Sequence, residues 1–195
     1  MSNPLADFVF ADSVPSSVQH RFAAMEQVYS AEQVDFAVDQ LSVRLSAAFQ
    51  NTDPILLTVM QGGVHFAGLL QHRLAFPLRT GYVHVSRYGD ATEGGELVWH
   101  GQAMPALKGA TVVFVDDILD QGRTLAELNV WAQQQGAVDV HNAVMVQREI
   151  DDREISADFY GLSAGPGFLV GCGMDYLGYG RNFAGIYRIG DDPSG

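Results

Sequence analysis

The stretch Val112-Val113-Phe114-Val115-Asp116-Asp117-Ile118-Leu119-Asp120-Gln121-Gly122-Arg123-Thr124 decides how this 195-residue chain is read. Its first four residues are an unbroken, mostly β-branched apolar run, the pattern of a strand buried on both faces of a parallel sheet. Asp116 and Asp117 follow at once, Asp120 comes after two apolar residues, and Thr124 opens a segment of helical period beyond Gly122. A strand that ends in acids and turns through glycine into a helix is suited to bind a ligand at the carboxyl edge of the sheet. The free N–H groups and dipole of the helix start suit a phosphate. Asp116 and Asp117 would repel that phosphate, so they are read as accepting hydrogen bonds from the hydroxyls of an attached sugar. A buried strand with a solvated acidic turn is the plainer alternative. A P-loop is excluded, because the chain has no G-x-x-x-x-G-K-[ST].

Upstream, residues 54–60 read as a second buried strand, followed by Gln61-Gly62-Gly63 and a helix over 64–75 that buries Phe66, Leu69, Leu70 and Leu74. Paired glycines after a strand let backbone N–H groups approach a ligand closely, although many such turns need glycine for geometry alone. Residues 81–86 alternate as a strand. Residues 87–96 lack a core pattern and read as a surface loop or lid, and Leu97-Val98-Trp99 resumes β structure. Nearer the start, residues 1–15 are an irregular lead-in, and Val18, Phe22, Met25 and Tyr29 share one helical face. Ser30-Ala31-Glu32-Gln33 is a capping box that launches a helix burying Val34, Val38, Leu41, Leu45 and Phe49.

Downstream, Leu125, Leu128 and Ala132 mark the inner face of a helix ending at Gly136. Residues 138–146 form a strand that closes in Gln147-Arg148. Residues 149–156 are charged and irregular, 157–162 a short strand, and 165–167 a turn. Residues 168–176 begin apolar and finish with Asp175 and Tyr176, and 185–189 read as a last strand.

Composition narrows the classes. Apolar residues make up 47%, which suits an α/β protein and excludes wholesale disorder, and no apolar run is long enough to span a membrane. The first residues lack a basic segment followed by an apolar core, so no signal peptide is expected. The lone cysteine, Cys172, cannot form an internal disulfide and points to the cytoplasm. A net charge of −12 opposes binding to nucleic acid or anionic membranes. The six histidines show no H-E-x-x-H or similar spacing, so no transition-metal site is expected.

Three motifs in order, Gln61-Gly62-Gly63, residues 115–124 and residues 168–181, resemble the 6-oxopurine (hypoxanthine-guanine) phosphoribosyltransferases of the type I family. The last motif, F-x-V-G-x-x-x-D-Y followed closely by Arg, separates them from the adenine and orotate members. The resemblance implies a doubly wound, mainly parallel α/β sheet of about five strands flanked by helices, in one domain over 1–195. A small hood, mainly from 160–195, would cover the carboxyl edge. It also implies Mg²⁺-dependent transfer of 5-phosphoribose from 5-phosphoribosyl-1-pyrophosphate (PRPP) to N9 of hypoxanthine or guanine.

Within that resemblance, Asp116 and Asp117 would hold the ribose hydroxyls, and Asp120, Gln121, Gly122, Arg123 and Thr124 would wrap the 5′-phosphate, with Ile118 and Leu119 completing the PRPP motif. Asp120 would be the general base near purine N7. Gln61, Gly62 and Arg181 would serve pyrophosphate. Phe168 would stack on the purine, Leu169 would offer backbone hydrogen bonds to its edge, and Arg148 would donate to the 6-oxo group. Asp175 would flank the purine and, with Asp116 and Asp117, Mg²⁺. Ser86 and Tyr88 would belong to a mobile loop, and the assembly would be a homodimer or homotetramer.

Three departures stand out. Gln61 occupies a place where many members carry Lys, and Arg87 splits Ser86 from Tyr88. The Lys that meets the 6-oxo group aligns best with Arg148, with Gln147 one position away. Arg keeps the charge but not the point-like geometry of Lys, which leaves hypoxanthine, guanine and xanthine open. A different base, or a nucleotide-sensing regulatory protein on the same fold, is the alternative.

Overall fold

A computed structural model describes residues 10–87 and 97–190. The elements in chain order are α1 (Ser16–Ala23), β1 (Glu26–Tyr29), α2 (Ala31–Phe49), β2 (Ile55–Met60), α3 (Gly63–Gln71), β3 (Arg79–Arg87) and β4 (Leu97–Ala103). They continue as β5 (Thr111–Leu119), α4 (Arg123–Gln134), β6 (Asp139–Arg148), β7 (Phe159–Ala164), β8 (Phe168–Val170) and β9 (Ile186–Ile189).

The main sheet has six strands in the order β4-β3-β2-β5-β6-β7. β3, β2, β5, β6 and β7 run parallel, and β4 adds an antiparallel edge to the expected five. Side-chain alternation explains the double winding. Ile55, Leu57, Val112 and Phe114 pack on the α4 side with Leu125, Leu128 and Ala132. Leu56, Val113 and Val115 face the other way, onto Val38, Leu41 and Leu45 of α2 and Phe66 and Leu70 of α3. From β2 the chain goes to β3 on one side and later returns to β5 on the other, which opens a crevice at the carboxyl ends of β2 and β5.

The second sheet is three-stranded, in the order β1-β9-β8. This corrects two expectations. The helix begun at Ser16 stops at Ala23, and Glu26 and Gln27 pair with Arg188 and Tyr187 of β9. Met25 packs with Val18 and Phe22 although the helix has ended, whereas Tyr29, on β1, packs on the core under α2 and α3. The hood therefore takes a strand and a helix from the N-terminal side as well as residues 168–189, whereas residues 159–164 belong to the main sheet. One face of this sheet gives Val170, Tyr187 and Ile189 to Val18, Phe22 and Met25. The other gives Leu169, Cys172 and Ile186 to the core under α2 and α3.

The capping box is present: the Ser30 N–H donates to Gln33 Oε1 at 2.9 Å, and the Gln33 N–H donates to Ser30 Oγ at 3.3 Å. The five predicted residues of the α2 stripe are all buried. Ser30→Ala is expected to lower unfolding free energy by about 1 kcal/mol, the usual worth of such a cap, read as an earlier urea midpoint at unchanged m-value.

Candidate active site

β2 pairs with β5 only as far as Thr58 and Val115, whereas β5 continues beside β6 to Leu119. Asp116 and Asp117 thus lie inside a strand, and not after its end as expected, because β6 is long enough to keep pairing with it. On the β2 side the gap is filled by Gln61-Gly62-Gly63 and the start of α3. A Cβ on Gly63 would run into the Val115 carbonyl, and one on Gly62 into the Asp117 carboxylate. The Met60–Gln61 peptide is cis, and Gln61 is exposed.

The third motif closes on the same point. Gly173, at φ +104°, has no room for a Cβ between the Gly62 carbonyl and Asp117 Cβ. Arg181 donates from one terminal nitrogen to the Gly173 carbonyl at 2.7 Å and pairs through the other with Asp175 Oδ1 at 2.6 Å. Asp175 Oδ2 accepts the Gly178 N–H at 2.6 Å. Gly62, Asp117, Gly173, Asp175 and Arg181 are therefore brought together.

Burial, and then the charge of Asp117, holds the Asp116 carboxyl well above the ordinary carboxylate range. Burial raises Asp117 as well, against its interaction with Asp116, the Ile118 N–H it accepts at 2.7 Å and the field of Arg181. Two adjacent acids held reluctant to ionise gain from hydroxyl donors or cations brought by a ligand.

The residues expected to form a phosphate loop follow. Leu119 is buried, Ile118 is half-buried, and Asp120 and Gln121 are exposed. Gly122 adopts the left-handed conformation at φ +79°, one residue before α4 begins at Arg123. The Thr124 hydroxyl accepts from Arg87 Nε at 3.2 Å, and Arg87 also pairs with Glu127 at 2.8 Å. The contact of Arg87 with Thr124 is not legible in the sequence because the two lie far apart along it. Ser86, expected in a loop, is a β3 residue hydrogen-bonded at 2.6 Å to His100 of β4. Tyr88 lies outside the described residues.

At the other end of the crevice, Arg148 donates to the Gly165 carbonyl at 2.6 Å and to the Gly167 carbonyl. Burial eases its guanidinium below the ordinary value, and the nearby Asp120 charge pulls it back. Gln147 points elsewhere, its Oε1 accepting the Ala157 N–H at 3.0 Å. Phe168 remains 48% exposed and makes a T-shaped contact with Tyr176, ring centroids 5.8 Å apart. The Leu169 side chain is in the core, and Cys172 is a buried thiol pushed up to about 12.

Among the described residues no three acids, histidines or cysteines cluster tightly enough to hold a metal by themselves. Mg²⁺ typically takes one or two carboxylates and completes its shell with water and substrate phosphate oxygens. Asp175 is suited to it: its two oxygens carry one partner each and keep lone pairs free.

Gly62→Ala drives a methyl into the Asp117 carboxylate, and such overpacking costs about 1–3 kcal/mol. The variant should melt several degrees earlier, while Gly68→Ala, whose Cβ meets nothing within 4 Å, should not lose stability.

The phosphoribosyl transferase domain model matches residues 24–177. The hypoxanthine-guanine phosphoribosyltransferase of Streptococcus agalactiae serotype V is 30% identical over 169 residues, 83% of this chain and 92% of that protein. The enzyme of the same name from Bacillus subtilis is 28% identical over 156 residues, 78% of this chain and 86% of that protein. A crystal structure of a hypoxanthine phosphoribosyltransferase from Staphylococcus aureus shares the fold, with a TM-score of 0.81 at 23% identity over 91% of this chain and 97% of that one. With a family model spanning most of its length and relatives covered nearly end to end, the chain belongs to the phosphoribosyl transferase family, among its hypoxanthine-guanine phosphoribosyltransferases.

Proposed function

We propose that the protein transfers 5-phosphoribose from PRPP to N9 of hypoxanthine or guanine, giving IMP or GMP and releasing pyrophosphate. The observation that carries this reading is the meeting of three distant motifs at Asp117, with Gly62 and Gly173 packed against it. Asp116 and Asp117 accept hydrogen bonds from the ribose hydroxyls, and the N–H groups of 120–124 take the 5′-phosphate. As the bond from C1′ to pyrophosphate breaks, positive charge grows on the sugar ring and these carboxylates stabilise it. Asp120 accepts the purine N7 proton while N9 attacks C1′. Gln61, Gly62 and Arg181 hold the leaving pyrophosphate, and Asp175, Asp116 and Asp117 are the carboxylates that would hold Mg²⁺. Bound Mg²⁺ neutralises charge on the leaving group.

Phe168, about half exposed, stacks on the purine, with Leu169 backbone groups at the purine edge. The charge of Asp120 acts on Arg148, whereas Gln147 is turned to Ala157, which favours Arg148 over Gln147 as the 6-oxo donor. The enzyme is read as cytosolic. The exposed Val98 and Trp99 on edge strand β4 favour assembly as a dimer or tetramer.

Incubation with PRPP, Mg²⁺ and hypoxanthine, guanine, xanthine or adenine, followed by absorbance and pyrophosphate release, tests the reaction. Hypoxanthine and guanine should turn over. Adenine should be poorer by about 10–100-fold in kcat/KM, because it leaves a desolvated donor unpaired. Arg148→Ala should weaken both 6-oxopurines. If Gln147→Ala alone abolishes discrimination, the donor has been placed one residue too far along. Asp120→Asn should lower kcat by about 10²–10⁴ with PRPP binding little changed; a variant within threefold of wild type excludes the N7 role.

A further inference from the structure

Residues 149–157, irregular and charged, run from the Arg148 end of β6 across the back of the phosphate loop. The Glu154 N–H donates to the Gln121 carbonyl at 2.8 Å. Arg153 Nη1 donates to the Arg148 carbonyl at 3.3 Å, and the Ala157 N–H to Gln147 Oε1 at 3.0 Å. Ile155 lies directly against Gly122: a Cβ placed there would sit 2.9 Å from Ile155 Cγ1 and 3.0 Å from its carbonyl oxygen.

Peptide geometry turns these contacts into a consequence for binding. In a trans peptide the C=O and the following N–H point in opposite directions. Holding the Gln121 carbonyl on the strap therefore aims the Gly122 N–H away from it, and that N–H has no partner among the described residues. Gly122 alone tolerates the pose, being left-handed and without a side chain where Ile155 presses.

We propose that residues 149–157 are a positioning strap, with Ile155 as the wedge and the Glu154 N–H as the latch that present the Gly122 N–H to the 5′-phosphate of PRPP. This rests on the reading of 120–124 as the phosphate loop. Ile155 touches no reacting atom and acts through Gly122.

The test is calorimetric titration of the full chain with PRPP in Mg²⁺, alongside KM values for PRPP and hypoxanthine. Ile155→Ala removes Cγ1 and should weaken PRPP about 10-fold, since displacing a binding group by a fraction of an ångström is costly, with the hypoxanthine KM within about twofold. Ile155→Val keeps both Cγ atoms and should stay within about twofold for both substrates. Glu154→Pro deletes the latch N–H and should reproduce the selective loss, which keeps the test decisive if Ile155→Ala does not fold. The exposed neighbour Ser156→Ala should match wild type. Equal losses in both substrates, or a fall in active fraction with unchanged PRPP affinity, overturn the proposal. Wild type failing to bind PRPP sinks the phosphate-loop reading itself, whereas variants that bind like wild type sink only the strap.

Discussion

Asp117 is enclosed on two sides by backbone alone, because a side chain at Gly62 would strike its carboxylate and one at Gly173 would strike its Cβ and the Gly62 carbonyl. Three segments far apart in the sequence are thereby fixed to one another within van der Waals contact. The end of β2, the middle of β5 and the loop after β8 cannot shift independently. Interiors packed this densely transmit displacement and do not absorb it. Arg181 adds a polar restraint by spanning Gly173 and Asp175 on the same loop. The positions of Asp116, Asp175 and Arg181 all follow from that close approach.

The same packing creates the electrostatic tension of the site. Two neighbouring carboxyls are drawn out of water on a chain that already carries a net charge of −12. Buried acids ionise with difficulty unless donors or cations reach them. Arg181 supplies part of the compensation. Arg148 is the converse case at the far end of the crevice: a guanidinium whose desolvation is countered by Asp120 and by two carbonyls of the 165–167 turn. Charged side chains of both signs are thus held in place by backbone contacts.

How much was legible beforehand follows from what each signal depends on. The apolar run 112–115, the α2 stripe and the capping box are local, and the strands and helices they imply are present. Gly62 and Gly173 were visible as glycines, but their reason, a shared carboxylate, is a contact between segments more than fifty residues apart. β1 was missed because Met25 and Tyr29 satisfy a helical period by coincidence, and only the free edge of β9 makes a strand of 26–29. Arg87 on Thr124 and Ile155 on Gly122 were invisible for the same reason: each side chain is ordinary in its own segment and acquires meaning from a distant partner. Residues 149–156 lack periodicity, and their bonds go to the ends of β6 and β7 and to Gln121.

The pairing of β1 with β9 also bears on how the chain reaches this shape. Glu26 meets Arg188, so a strand made early in synthesis finds its partner only when nearly everything described here has left the ribosome. Strand contacts of such separation form late, because the intervening chain must first be confined. The parallel core from β2 through β7 can assemble while α1 and β1 wait, their apolar residues Val18, Phe22 and Met25 still uncovered. During that interval the nascent protein shows an unpaired strand and a greasy helix, the features on which chaperones act. The hood can be completed only once β9 is available to β1, and the loop that carries Gly173 to Asp117 lies between β8 and β9 in the same sheet.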